Sequence, residues 1–194
     1  MIEAVADYYG RALAAHGPTA RGVDWASPAE QALRFDVLLD VVEWTPRPTL
    51  LDYGCGYGAL VSYLDARGMA CDYAGFDIAP EMLEAARRVH PDRRFVAQPE
   101  PADYVIASGI FNVKLDAAVA DWEAHVDATI ARLGALARRG LAFNMLPPAS
   151  PPERARADLH YAEPTAIAAR CRELGAVTLR RDYGLWEFSV LVRR

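Results

Sequence analysis

The segment Thr49–Leu60, T-L-L-D-Y-G-C-G-Y-G-A-L, constrains this chain more than any other. Leu50-Leu51 leads into Asp52, and glycines follow at alternate positions, Gly54, Gly56 and Gly58. Ala59–Leu64 then places apolar residues at helical spacing, with Gly68 where a helix C-terminal glycine belongs. This pattern predicts a strand, a tight glycine turn and a helix. Glycine adopts positive φ and lets a second molecule approach the backbone. The helix N-terminus adds free N–H groups and partial positive charge above the strand. Such a turn suits a nucleotide-like ligand. It is not the dinucleotide fingerprint G-x-G-x-x-G, because Gly58 follows Gly56 one residue too early.

Strand and helix patterns alternate along the rest of the chain. Ala70–Asp77 reads as a second strand, and Pro80 opens a helix that turns Met82, Leu83, Ala86 and Val89 toward the sheet. Arg94–Ala97 and Asp103–Ser108 read as the third and fourth strands. Trp122–Leu136 is an amphipathic helix closed by Arg138-Arg139-Gly140, with His125 on its surface, and Leu141–Met145 is the fifth strand. A loop carrying Pro147, Pro148, Pro151 and Pro152 precedes a helix from Pro164 to Leu174. Two alternating strands, Val177–Tyr183 and Glu187–Val192, end the chain. Before all this, Val5–Leu13 has a weak helical pattern, and Ser27-Pro28-Ala29-Glu30 is a capping box. The helix it starts carries Leu33, Val37, Leu38, Val41 and Val42 on one face and is stopped by Pro46.

Composition removes several classes of function. The 194 residues, 53% of them hydrophobic, suffice for one buried α/β core. A net charge of −5 disfavours a partner with a phosphate backbone. Cys55, Cys71 and Cys171 are an odd number without C-x-x-C spacing, which argues against a disulfide framework or zinc site and for a reducing, cytoplasmic setting. No apolar run approaches the ~20 residues of a membrane span. Met1-Ile2-Glu3-Ala4 does not look like a signal peptide.

Asp52-x-Gly54-x-Gly56-x-Gly58, followed 25 residues after Asp52 by Asp77 in G-F-D-I-A-P-E-M-L, resembles the class I S-adenosylmethionine-dependent methyltransferases. The resemblance implies an α/β, Rossmann-like, seven-stranded and mostly parallel sheet. Helices would cover both faces, and an antiparallel strand pair would close the C-terminal end. Residues 1–194 would form one domain, with 1–45 as a helical lid or substrate cap and 49–194 as the core. The implied cofactor is S-adenosyl-L-methionine. Asp52, Gly54, Cys55, Gly56 and Gly58 would approach its methionine part, and Asp77 would accept from both ribose hydroxyls. Ile78 and Met82 would pack on the adenine, although Met82 also suits plain helix–sheet packing. The family's acidic adenine contact beyond the third strand has no counterpart, since Gln98-Pro99-Glu100-Pro101 runs almost directly into the fourth strand. Gln98 is the candidate there. Ser108 and Gly109 would border the cofactor, and Ile110, Phe111 and Asn112 the acceptor, unless Asn112 caps its own loop.

By the same resemblance Tyr8, Tyr9, His16 and Trp25 lie near the acceptor, or else the aromatics simply join helices to the sheet. His16, Asp158, His160 and Tyr161 are the candidate catalytic residues, and Arg154–Tyr161 a candidate pocket wall. No metal ligands have suitable spacing. Phe143-Asn144-Met145-Leu146-Pro147-Pro148 is superficially similar to the N-P-P-Y segment of amino-methylating enzymes but falls one strand too late. The expected function is methyl transfer to O, N or C of a small metabolite, by a monomer or homodimer that needs no nucleic acid or membrane. Three alternatives stand beside it: a non-catalytic binding module, a relative using the cofactor for non-methylating chemistry, and a nicotinamide oxidoreductase, which the glycine spacing disfavours.

Overall fold

The computed structural model describes residues 1–148 and 155–194. Residues 149–154, with Arg154 of the expected pocket wall and the Pro151-Pro152 pair, lie outside the described residues. Strands β1 (Thr49–Tyr53), β2 (Asp72–Phe76), β3 (Arg94–Val96), β4 (Ala102–Ala107), β5 (Ala137–Met145), β6 (Ala176–Arg180) and β7 (Phe188–Arg193) form one sheet in the order β3-β2-β1-β4-β5-β7-β6. β1 to β5 run parallel, and β7 enters antiparallel between β5 and β6. The central strands are apolar on both sides, as strands covered by helices on both faces must be. Leu51, Tyr53, Phe76, Val105 and Phe143 point to the face covered by α1 (Ile2–His16), α5 (Val119–Leu136) and α6 (Pro164–Cys171). Their neighbours Leu50, Tyr73, Tyr104, Ile106 and Ala142 point to the opposite face, under α2 (Pro28–Leu39) and α3 (Ala59–Ala66). α4 (Pro80–Val89) buries Met82 and Leu83.

Chain order reverses between β1 and β4, so their carboxyl ends flank the crevice where open α/β sheets take ligands. The glycine turn leaves β1 at that point. Between Val96 and Ala102 no helix intervenes. The sheet face that such a helix would cover meets α1 instead, whose Val5 shares a core with Leu51, Tyr53, Ala74 and Phe76.

Several boundaries differ from the sequence pattern. α2 ends at Leu39, well before Pro46, and Val41 and Val42 are buried from the turn that follows. Leu33 is only half-buried, while Gln31 and Arg34 are buried, because α2 is rotated to pair Arg34 with Glu187. Val89 sits in the last turn of α4 and is exposed. α5 passes into β5 with no intervening loop, so Arg138-Arg139-Gly140 belong to the strand rather than to a helix stop. Gly140 is required there by packing: a Cβ would stand 2.8 Å from the Val192 carbonyl oxygen. Among the described residues no helix is long and apolar enough to cross a membrane.

The amino ends of β1 and β4 are clamped by one carboxylate. The Thr49 N–H and hydroxyl both donate to Asp103 Oδ2 at 2.9 Å, and the Asp103 N–H donates to Thr49 Oγ1 at 2.7 Å. The Thr49 N–H in particular holds the Asp103 carboxyl below its usual range. A lowered folded pKa contributes stability above the unfolded value near 4 and loses it as pH falls through the folded one. Asp103→Asn should therefore destabilise by about 1 kcal/mol at pH 7, and urea denaturation should find the gap closing as pH falls below about 4.

Candidate active site

The turn after β1 is strapped to the end of β2: the N–H groups of Gly54 and Cys55 donate to the Phe76 carbonyl at 2.7 and 2.9 Å. Gly54 and Gly56 have φ of 83° and 54°. A Cβ on Gly54 would lie 2.4 Å from Ile110 Cγ2, and one on Gly56 2.9 Å from Val23 Cγ1. Both positions therefore need glycine for conformation and for close approach. Asp77, just past β2, accepts from the Gly56 N–H through Oδ2 at 2.8 Å and from the Ala79 N–H through Oδ1 at 2.9 Å. Those two N–H groups fix the carboxylate and oppose burial, which raises its pKa. Asp52 is buried beside it and accepts from the Tyr73 hydroxyl at 2.8 Å. Burial pushes the Asp52 carboxyl up to about 7; the Tyr73 hydrogen bond opposes the rise and the charge of Asp77 adds to it.

Above these groups opens a cavity of about 990 Å³, its mouth included. Asp52 and Asp77 face it, and among the described residues that line it there is no lysine or arginine. On one side its lining comes from the glycine turn and the start of α3, with Gln31, Trp25 and Tyr57. On the other it comes from Phe76 and Ile78 and from a chamber between α1 and α5, whose Val5 and Trp122 share a core with Tyr53 and Phe76. A buried and a half-buried carboxylate without a lysine or arginine counter-charge suit a positively charged ligand and repel a diphosphate.

A buried polar network backs the first of these sides. The Arg34 guanidinium lies 3.8 Å from the Trp25 ring centre and donates through Nε to Glu187 Oε2 at 2.9 Å. The Tyr183 hydroxyl donates to Glu187 Oε1 at 3.1 Å and meets Ser189 Oγ at 2.9 Å. Burial raises the Glu187 carboxyl, and Arg34 opposes that. Trp25 lies flush on Gly109, where a Cβ would stand 2.5 Å from Cζ2 of the indole. The Gly109 N–H is held by Asn144 Oδ1 at 2.8 Å. The Ser108 hydroxyl, buried at the cavity wall, has no hydrogen-bond partner among the described residues.

Twelve of the residues proposed from sequence line the cavity. The cofactor candidates Asp52, Gly54, Cys55, Gly56 and Asp77 line its floor, and Ile78, Met82, Ser108 and Gly109 its sides. Tyr9, Trp25 and Ile110, proposed to bind the acceptor, are there too. The remaining candidates are elsewhere. Gly58 begins α3 and packs on His90 and Phe95. Gln98 is exposed on the short connection and does not line the cavity. Tyr8 donates to Asp24 Oδ2 at 2.9 Å, outside the cavity. Phe111 is a core residue edge-on to Phe143, because its strand end turns inward rather than toward the crevice. Asn112 is buried, and its carbonyl accepts from the His160 N–H at 2.8 Å.

The four candidate catalytic residues are likewise outside. His16 is exposed at the end of α1. Asp158 is ion-paired with Arg156, which lowers its pKa. His160 is buried, with its pKa lowered by burial. The Tyr161 hydroxyl accepts from the Arg156 N–H at 2.9 Å. None of the four lines the cavity. His125, expected on the surface of its helix, does line it, half-buried against Trp122. Sequence reasoning also missed Glu187 and the roles of Arg34 and Asn144. Arg34 and Glu187 are 153 residues apart and leave no local signal. Among the described residues no three His, Cys, Asp or Glu side chains gather as a metal site.

Comparison with known proteins agrees with this geometry. Residues 50–138 match the profile of a family described as "Methyltransferase domain". The chain is 47% identical, over 151 residues, to a protein of Mycobacterium tuberculosis (strain ATCC 25618 / H37Rv) called "Putative methyltransferase Rv1506c"; the match spans 74% of this chain and 91% of that protein. In fold it is similar to the magnesium protoporphyrin IX methyltransferase of Synechocystis PCC 6803, solved with bound S-adenosylmethionine. That likeness has a TM-score of 0.60 at 17% identity and covers 86% of this chain and 80% of that one. An O-methyltransferase family protein of Burkholderia thailandensis gives a TM-score of 0.64 at 15% identity, over 97% of this chain and 59% of that one. The chain belongs to the methyltransferase family, in its class I, S-adenosylmethionine-dependent branch.

Proposed function

We propose that this chain transfers a methyl group from S-adenosylmethionine to O, N or C of a small-molecule acceptor. The observation that carries the reading is the cavity lined by two carboxylates, Asp52 buried and Asp77 half-buried, with no lysine or arginine among its described lining. The residues present fit the cofactor. Asp77 has lone pairs left for two vicinal hydroxyls after its two backbone bonds. The start of α3 offers N–H groups to a carboxylate. Asp52 faces the side on which an ammonium group would lie. Bound S-adenosylmethionine supplies a methyl group on positively charged sulfur, already activated for displacement.

The protein's task is then alignment and exclusion of water. Ile110 and the Trp25 indole, fixed by Arg34 and Gly109, wall the acceptor side, and residues 1–45 act as the cap of one domain spanning 1–194. A concave site with this largely apolar lining and few polar groups suits a metabolite rather than a macromolecule. Three buried, unpaired cysteines fit a reducing, cytoplasmic setting.

Calorimetric titration should give micromolar binding of S-adenosylhomocysteine and none of NADH; the reverse would contradict the reading. Asp77→Ala should weaken S-adenosylhomocysteine by about 2–3 kcal/mol, and unchanged affinity would remove Asp77 from the ribose site. Asp52 must ionise to accept from an ammonium group. Affinity should therefore rise with pH up to about 7 and level off above it, and Asp52→Asn should flatten that dependence. In the empty protein the sign is opposite for stability. Unfolded Asp52 ionises first, so this group costs stability as pH rises from about 4 to about 7.

A further inference from the structure

The chamber between α1 and α5 has an end that the cofactor reading leaves without a role. Its walls are aromatic and aliphatic: Val5 and Tyr9 from α1, Tyr53 and Phe76 from the strand ends, Trp122 from α5. Two polar side chains, His125 and Thr129, open into it one helical turn apart. Within the described residues neither is claimed by a side-chain hydrogen bond. Burial alone perturbs the imidazole, which it keeps neutral, with Asp52, Asp77 and Tyr9 the titratable groups sharing the cavity from the strands and α1. An aromatic-walled chamber with two unspent hydrogen-bonding groups suits a planar heterocycle with polar edges.

We infer that His125 and Thr129 read the polar edge of the cofactor's adenine, from α5 rather than from beyond β3. The inference rests on the cofactor reading above and follows from where the cavity leads. Asp77 is bonded to the glycine turn through the Gly56 N–H and sits in sequence between Phe76 and Ile78, so it borders both sides of the cavity. The side with the glycine turn and the amino end of α3 suits the amino-acid part of the ligand. The base, bonded to the sugar at Asp77, has the side with Phe76 and Ile78 left to it. The connection beyond β3 cannot reach it. Only five residues separate Val96 from Ala102, and Gln98 there is exposed outside the cavity. With no helix between β3 and β4, α1 closes the chamber and α5 supplies the polar contacts.

The test uses the full chain and S-adenosylhomocysteine as probe, with its N6,N6-dimethyl analogue as the edge-modified comparison. Thr129→Val keeps the side chain's shape and His125→Leu removes the imidazole; melting temperatures confirm folding. Each variant should bind S-adenosylhomocysteine about three- to tenfold more weakly than the parent. The parent should disfavour the dimethyl analogue at least tenfold, and in the variants that preference should shrink to threefold or less. The 15N resonances of the His125 ring should move when S-adenosylhomocysteine is added. Unchanged affinity in Thr129→Val together with an unmoved His125 resonance would overturn the inference and assign the chamber to the acceptor, leaving the cofactor reading intact. Failure of the parent to bind S-adenosylhomocysteine would overturn both.

Discussion

Everything in this crevice depends on two carboxylates at the ends of neighbouring parallel strands, Asp52 buried and Asp77 half-buried. A buried carboxylate without a counter-charge resists ionisation, and Asp52 does so up to about pH 7. The protein stabilises Asp77 with two backbone N–H groups, one of them from the glycine turn itself. The same bond makes the turn rigid, and Gly54 and Cys55 bind it further to the Phe76 carbonyl. Ligand-binding charge and turn geometry are thus one construction. The electrostatics left unsatisfied are those that a sulfonium and an ammonium would satisfy.

The walls are less ordinary than the floor. The very short link between β3 and β4 leaves part of one sheet face uncovered, and α1 fills the space with Val5 and Tyr9. On the other side a buried arginine–glutamate pair, costly to desolvate unless its hydrogen bonds are good, secures Trp25 through its ring face. Trp25 can lie so close only because residue 109 is glycine, and Asn144 holds that glycine's N–H. This wall of the cavity is thereby assembled from α2, β5 and the segments just after β4 and just before β7.

How much of this was legible in the sequence follows from how local each signal is. The glycine turn, Asp52 and Asp77 announce themselves through short spacings, and the succession of strands through apolar patterning. The mostly parallel seven-stranded sheet comes with the family resemblance. The structure has the sheet, with the turn and both carboxylates on the cavity. Boundaries failed where tertiary packing overrode a local cue. Arg138-Arg139-Gly140 looked like a helix stop, yet Gly140 is there for its contact with Val192. Arg34 has no role legible from sequence, although it lies near the aromatic N-terminal loop, because its partner Glu187 lies near the other end of the chain. The proposed bases rested on residue type and on a general placement, His16 by resemblance and Asp158, His160 and Tyr161 by following a strand at the ligand-binding edge. Each has a structural neighbour or solvent in place of the cavity. His125 was read as a surface group, since nothing local tells which side of α5 faces a crevice roofed by the distant N-terminal helix.

The most direct measurement is a crystal structure of the protein grown with S-adenosylhomocysteine. The account predicts both ribose hydroxyls on Asp77, the homocysteine over Gly54–Gly56 with its amino group toward Asp52, and the ligand's sulfur facing Ile110 and Trp25. A ligand bound elsewhere, or seated in the cavity with Asp77 untouched, would contradict it.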